Sequence, residues 1–600
     1  MHERRPSSPA IRFLAPLLVW LSAATAMAQA PVLPFDEIRT GMKGTGRTVF
    51  SGTTIETFEV EIIGKLSNTG PDRNLILGRL SGGPLARTGV MSGMSGSPVY
   101  IDGKLIGAVA YSWGFSKEPI AGITPIGEML DVAGLEQEGR RAGAIGLSPS
   151  DLSRVTRPAS LDGFFAAQAR RLTQPVAGAH PLSVPLTVSG LGPRGFARLL
   201  PELADAGFLP LQGGNPGDSP DPSPPLEPGS AMGVKLMRGD IDMTVTGTVT
   251  WVGDNGILGF GHPMFGMGAV DLPMTGARVE TLMPSVYQSA RLATPLSEVG
   301  ALRQDRTAAV YGRLGTRPRM LPVRVQFSGA TRSRTYSFDM ADDAMLSPLL
   351  LYSALQGIIN SEERLVGEAS LRLREGSTIK MDGVEDVRLD NLFSGPDAFN
   401  FSTGLPAYVL YLLMNNDWEP PRIAGINLLF EYDDEPRSGR VQRVTLDRYR
   451  ARPGETVGVT VLADPFRGPA QALRREITIP PDTPPGTLTL HVGGAYAIGR
   501  AEDGEAPVLP SDLDQFVRLI NSLRRNDRIY ISLYSEDRGI LLGGTRLPNL
   551  PPSVTAILTR PKTRGNVTVV SRRGVLEDQI PTEYAVGGLA RIQLEIEEAP

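Results

Sequence analysis

The chain has 600 residues, 41% hydrophobic and 21% charged, which is enough for several packed cores and too apolar for global disorder. Lys and Arg (60) nearly balance Asp and Glu (64), leaving a formal charge of −4 with no long basic block, so nothing points to nucleic acid. There is no cysteine, which excludes disulfides, thiol nucleophiles, Fe–S clusters and thiolate zinc; with only His2, His180, His262 and His491, a multi-histidine metal site is a poor reading.

At the N-terminus Arg4, Arg5 and Arg12 precede the apolar run Phe13–Leu21 and the small residues SAATAMAQA. A basic start, a short apolar core and an A-x-A site make a secretory signal peptide. Ala26-Met27-Ala28 fits as the cleavage site, so residues 1–28 are expected to leave. Ala28-Gln29-Ala30 also matches, but it puts Pro31 directly after the cut. The run is short for a membrane span of about 20 residues, and no later segment is long and apolar enough to cross a bilayer. The mature chain is therefore expected in the periplasm or outside the cell, with no transmembrane segment.

High glycine (68) and proline (51) favour a turn-rich β architecture. Residues 31–140 read as short strands: Phe58, Val60 and Ile62 alternate with Glu59 and Glu61, and Asp102-Gly103 joins Val99–Ile101 to Leu105–Tyr111 as a two-residue hairpin. Residues 141–228 read as an insert, with helices near 161–172 and 197–206 and a Pro/Gly linker over Gly213–Pro228. Strands resume over 229–340, where Met243, Val245, Gly247, Val249 and Trp251 share one face. A connecting α+β region over 341–440 opens with a helix at about 344–361. Alternation of Val457, Val459 and Val461, and of Leu488, Leu490 and Val492, predicts an immunoglobulin-like β-sandwich over 441–498. In that pattern His491 falls on a polar face. A C-terminal α+β domain, 499–600, has one clear helix capped by Ser511 and striped by Leu513, Phe516, Val517, Ile520 and Leu523.

One segment carries chemistry. Gly93-Met94-Ser95-Gly96-Ser97-Pro98 matches G-x-S-G-[GS]-P. A nucleophilic serine needs its hydroxyl on a tight turn, with backbone N–H groups aimed at the developing oxyanion. Glycines at 93 and 96 permit such a backbone, and the amides of Gly93 and Ser95 would form the hole. The bland alternative is a glycine-rich β-turn before a hairpin. The continuation SPVYIDGKLIGAVAYSWG argues against it, because a chymotrypsin-like nucleophile turn leads into a hairpin whose second strand lines the cleft. That strand ends here in Tyr111, Ser112, Trp113 and Gly114.

Gly93–Gly107 closely resembles the core motif of the SpoIVB (stage IV sporulation protein B) peptidases, and Gly253–His262 (GDNGILGFGH) is similar to that family's strand pair ending in Gly-His. The resemblance covers about residues 35–140 and 228–300. It implies a chymotrypsin-like double β-barrel module; with the immunoglobulin-like sandwich and the C-terminal α+β domain read from pattern, the chain is expected to be mostly β. It implies a serine endopeptidase with Ser95 as nucleophile, His262 as general base, no cofactor or metal, and protein or peptide substrates in the cell envelope.

This sequence departs from the family twice. His262 lies 167 residues after Ser95, whereas the family's Gly-His segment comes first. A triad is defined by geometry, so exchanged order is tolerable. No acid stands where the family's aspartate lies; Leu80–Pro84 reads LSGGP. Asp271 and Asp254 are the candidates to orient His262, a Ser-His dyad is the alternative, and a degenerate site in a scaffold or binding protein of the envelope is the rival class. His180 reads as a turn residue.

Overall fold

A computed structural model describes residues 31–135, 161–171, 180–214 and 221–598, short internal stretches aside. The expected signal peptide lies outside these residues, as does part of the Pro/Gly linker.

Six strands close the first barrel: β1 (Lys43–Val49), β2 (Ile55–Gly70), β3 (Arg73–Ser81), β4 (Pro98–Ile101), β5 (Lys104–Ser112) and β6 (Ile120–Pro125). They pair antiparallel in the cyclic order β1-β2-β3-β6-β5-β4, with β4 returning to β1. The expected alternation in β2 sends Phe58, Val60 and Ile62 inward, where they pack with Ile76, Val99, Val109 and Ile123. Closure leaves this barrel no bare edge inside the ring. The Asp102-Gly103 turn has φ of 48° and 76°, the left-handed pair that a two-residue hairpin demands.

A second ring follows in the chain. β7 (His180–Pro181), β8 (Val184–Ser189) and β9 (Phe208–Gln212) precede β10 (Ala231–Gly239), β11 (Asp242–Val252), β12 (Gly256–Gly259), β13 (Gly268–Met283), β14 (Ala290–Arg306) and β15 (Ala309–Leu314). β10 to β15 close antiparallel in the order β10-β13-β14-β15-β12-β11. Two closed six-stranded barrels are consistent with the chymotrypsin-like module that the sequence implies. The helix Ile126–Gly134 packs between them, burying Ile126, Met129 and Val132 beside Leu105 of the first barrel and Leu258 and Tyr311 of the second.

The second barrel is not an isolated unit. Ser333–Ala341 pairs with β10, Met320–Ser328 pairs with Ser333–Ala341, and Ile423–Asp433 pairs with Met320–Ser328. The 341–440 region therefore extends the barrel's own sheet. Two 17-residue helices, Leu346–Glu362 and Ala398–Met414, lie in the same large core. The second is apolar on nearly every side, so it has no amphipathic period for sequence reading to find.

The sandwich is larger than expected. Val457, Val459, Val461, Leu488 and Leu490 share their core with Ile529, Ile531, Leu533 and Leu594, so the two sheets draw on residues 438 to 596 and not on 441–498 alone. Each sheet also contains a parallel pair, unlike the purely antiparallel sheets of an immunoglobulin domain. His491 is buried against the Tyr534 ring, at 4.9 Å between centroids, because its strand is covered on both faces. The helix Leu513–Asn521 is capped by Asp512, one residue beyond the expected Ser511, and turns Phe516, Val517 and Ile520 into the large core rather than the sandwich.

One polar contact inside the second barrel has a measurable consequence. Lys235 of β10 and Asp242 of β11 are both buried and paired at 2.5 Å, with the Thr244 hydroxyl also donating to Asp242. Removing one partner strands the other charge. Asp242→Ala should lower unfolding free energy by about 3–5 kcal/mol in urea titrations, and Lys235→Met with Asp242→Leu should recover most of it.

Candidate active site

Although His262 stands 167 positions after Ser95, the nucleophile turn of the first barrel lies on β11 of the second. Thr248 N–H donates to the Ser95 carbonyl at 2.8 Å, and the hydroxyls of Thr248 and Thr250 donate to the carbonyls of Gly93 (2.9 Å) and Gly96 (2.7 Å). Gly96, at φ 94°, is the point of closest approach: a Cβ there would stand 2.0 Å from Thr248 O and 2.5 Å from Phe260 N. No other residue fits. Phe260 begins the loop that carries His262. Gly261 O accepts from Thr124 of β6, and Gly261 lies against Ala108 and Ala110 of β5.

Ser95 and His262 are both completely buried. Neither Ser95 Oγ nor His262 Nε2 has a hydrogen-bond partner, so the two do not bond to each other in this conformation. Among the described residues the amides of Gly93 and Ser95 also donate to nothing, whereas those of Met94, Gly96 and Ser97 are all engaged within the turn or by β5. The two undonated N–H groups are those expected of an oxyanion hole in this turn.

The histidine's tautomer follows from its one contact. Nδ1 lies 2.8 Å from the Pro263 carbonyl, which can only accept, so Nδ1 carries the proton and Nε2 presents a lone pair. Burial pushes the imidazole down to about 4, with the carbonyl bond pulling weakly the other way. His262 is therefore neutral at physiological pH.

Among the described residues no carboxylate bonds to His262. Asp271, expected as an orienting acid, instead pairs with Arg303 at 2.7 Å on β13 and β14. Asp254 sits exposed where β11 turns toward β12. The acid that shapes the site is Asp305, which sequence reading missed. Its fully buried carboxylate accepts from the amides of Met264 (2.8 Å), Phe265 (2.8 Å), Gly266 (2.9 Å) and Met267 (3.4 Å), fixing the loop just beyond His262. Burial pushes this carboxyl up while the four amides pull it down. In sequence it is one charge in the polar stretch RQDR, with nothing to mark it.

The expected cleft residues divide. The Tyr111 ring lies 6.5 Å from the His262 ring, so this wall of the site is present. Trp113 is partly exposed and Gly114 exposed. The edge of β5 is not open, however: Tyr111 and Ser112 pair with Pro181 and His180 of β7, and Pro185 packs against Gly93. The chain's own strand occupies the position expected for substrate, and Ser95 has no exposed surface in this conformation. His180, expected in a turn, is in that strand.

Two closed barrels, with the serine turn and the histidine loop packed at their junction, form the frame that the sequence leads one to expect of a serine-peptidase site. The model of the SpoIVB peptidase S55 family matches residues 21–129, and that match identifies this part of the chain as SpoIVB-peptidase sequence, including the serine turn and its hairpin. Among curated proteins and among solved structures, none matches this chain.

Two measurements test the site. If neutral His262 is the working base, the acid limb of kcat/KM should lie near pH 4, the rate falling as pH drops through it; a limb near 6.5 contradicts a base held in this environment. Asp305→Ala orphans four amides and should cost about 3 kcal/mol or more in chemical unfolding, with turnover lowered through the loosened His262 loop.

Proposed function

We propose that the chain is an exported serine endopeptidase of SpoIVB type that cleaves protein substrates of the cell envelope. The serine-peptidase character follows from the family match over residues 21–129. The residue assignment rests on one observation: Ser95 Oγ and His262 Nε2 are both buried where the serine turn and the histidine loop pack together, each without a hydrogen-bond partner, and the amides of Gly93 and Ser95 are undonated.

In this reading His262 Nε2 takes the Ser95 proton as Oγ attacks the scissile carbonyl carbon. The carbonyl π electrons move to oxygen, and the Gly93 and Ser95 amides stabilise the oxyanion. The tetrahedral intermediate collapses, imidazolium gives its proton to the leaving amine, and an acyl-Ser95 remains. Water, deprotonated by the same Nε2, then releases the acid and restores the serine. The Pro263 carbonyl stands where a triad has its carboxylate. It fixes the tautomer but supplies no charge, so the site works as a dyad, and the imidazolium gains less stabilisation than in an Asp-bearing triad. Export rests on the N-terminal pattern of Arg4, Arg5, Phe13–Leu21 and Ala26–Ala28.

The rival reading, a peptidase-like scaffold, is favoured by the full burial of both residues and by β7 on the β5 edge. Kinetics separate the two. Ser95→Ala and His262→Ala should each remove at least about 1,000-fold of peptide turnover, with the double variant little worse, because the pair acts as a unit. Asp271→Asn should change turnover by less than about threefold. A fluorophosphonate should label wild type on Ser95 and leave Ser95→Ala unlabelled. Wild type that neither turns over peptides nor takes the label leaves the scaffold reading.

A further inference from the structure

Arg291, at the start of β14, is the largest fully buried side chain among the described residues. Its N–H groups reach only neutral oxygens: Nη1 donates to Thr48 Oγ1 (3.1 Å) and Val49 O (2.9 Å), and Nη2 to Thr248 Oγ1 (2.8 Å) and Gly247 O (3.5 Å). Nε has no partner, and no carboxylate among the described residues pairs with the group. Burial pushes the guanidinium down to about 9, which leaves it charged at neutral pH. A buried cation without a counterion is destabilising, so its retention calls for a reason other than packing.

Its position supplies one. A Cβ placed on Gly93 would lie 3.0 Å from Nε and 3.4 Å from Nη2, so the guanidinium abuts the backbone of the nucleophile turn. Two hydrogen-bond chains run from it into that turn. Through Thr248 it reaches the Gly93 carbonyl. Through Thr48 it reaches Ser97, whose Oγ lies 3.0 Å from Thr48 Oγ1 and 2.7 Å from the Met94 carbonyl. A serine hydroxyl has one proton and the carbonyl can only accept. Ser97 therefore donates to Met94, Thr48 donates to Ser97, and the lone pairs of Thr48 are left for Arg291. The Met94 carbonyl belongs to the same peptide unit as the Ser95 amide. Withdrawing electron density at its oxygen makes that N–H a stronger donor, and chained bonds reinforce one another in a dry interior.

We propose that Arg291 is a positioning and charge-supplying residue for the oxyanion hole of Ser95, acting from behind the turn through Thr48, Ser97 and Thr248. The inference rests on the peptidase reading above and deepens it. The missing counterion of Arg291 is the oxyanion itself, which forms during acyl transfer in a site where little water screens the attraction.

The test uses the full chain, peptide turnover and a peptidyl boronate, which forms a tetrahedral anionic adduct on a nucleophilic serine. Arg291→Met should lower kcat and weaken the boronate by about 10- to 100-fold, with KM changed less than about twofold. Arg291→Lys should recover part of both. Thr48→Val keeps the cation and cuts the Ser97 relay, so it should show a smaller loss of the same kind, and it decides the matter if Arg291→Met fails to fold by circular dichroism. Folded Arg291→Met and Thr48→Val variants with unchanged kcat and boronate affinity overturn the proposal, as does a loss confined to KM. Wild type that neither turns over peptide nor binds boronate at Ser95 overturns the peptidase reading, and this inference with it.

Discussion

Everything at the candidate site depends on how closely the Gly93–Pro98 turn approaches β11. The turn belongs to the first barrel, yet three of its carbonyls are held by Thr248 and Thr250 of the second. The fit leaves no space for a side chain at Gly96. A site of this kind cannot exist in either barrel alone. It forms when the barrels dock, and the helix Ile126–Gly134 between them contributes the apolar contacts that hold the docking. This also explains why an exchanged order of the Ser and His segments is physically acceptable: the contact is between strands, and the chain order joining them does not enter its geometry.

Burial sets the chemistry of the groups gathered there. The same loss of water that keeps His262 neutral leaves Arg291 without screening and makes Asp305 depend on four amides to remain an acceptor. A single carbonyl, Pro263 O, does the orienting that a carboxylate does in a triad, because holding a tautomer needs an acceptor and not a charge. The cost of the arrangement is closure. With β7 on the β5 edge and Pro185 against Gly93, the described conformation is a covered one.

Structure is legible in the sequence wherever a short period or a turn residue decides it. The alternation of β2, the Asp102-Gly103 turn and the stripe of Leu513–Asn521 are set by neighbours within a few residues. The serine turn is legible for the same reason, since its glycines are required by its own backbone. Failures came where partners are distant. Asp271 looked available as an acid, but Arg303, 32 residues on, takes it. His491 looked exposed by alternation, but it is buried against the Tyr534 ring of the neighbouring strand. The sandwich looked complete at residue 498 because strands contributed from beyond residue 528 leave no mark on the earlier ones.

By itself, then, the sequence determined the glycine-bearing turn at Gly93–Pro98, its hairpin and the β character of the chain, all of which follow from local backbone needs. The tertiary structure alone decided that the Ser95 turn and the His262 loop pack at one junction, that a backbone carbonyl and not Asp271 bonds the imidazole, and that Asp305 holds the loop beyond His262 while Arg291 lies buried against Gly93. Those outcomes depend on which strands of two closed barrels become neighbours. Barrel closure and docking are long-range events, and no window of sequence carries their register.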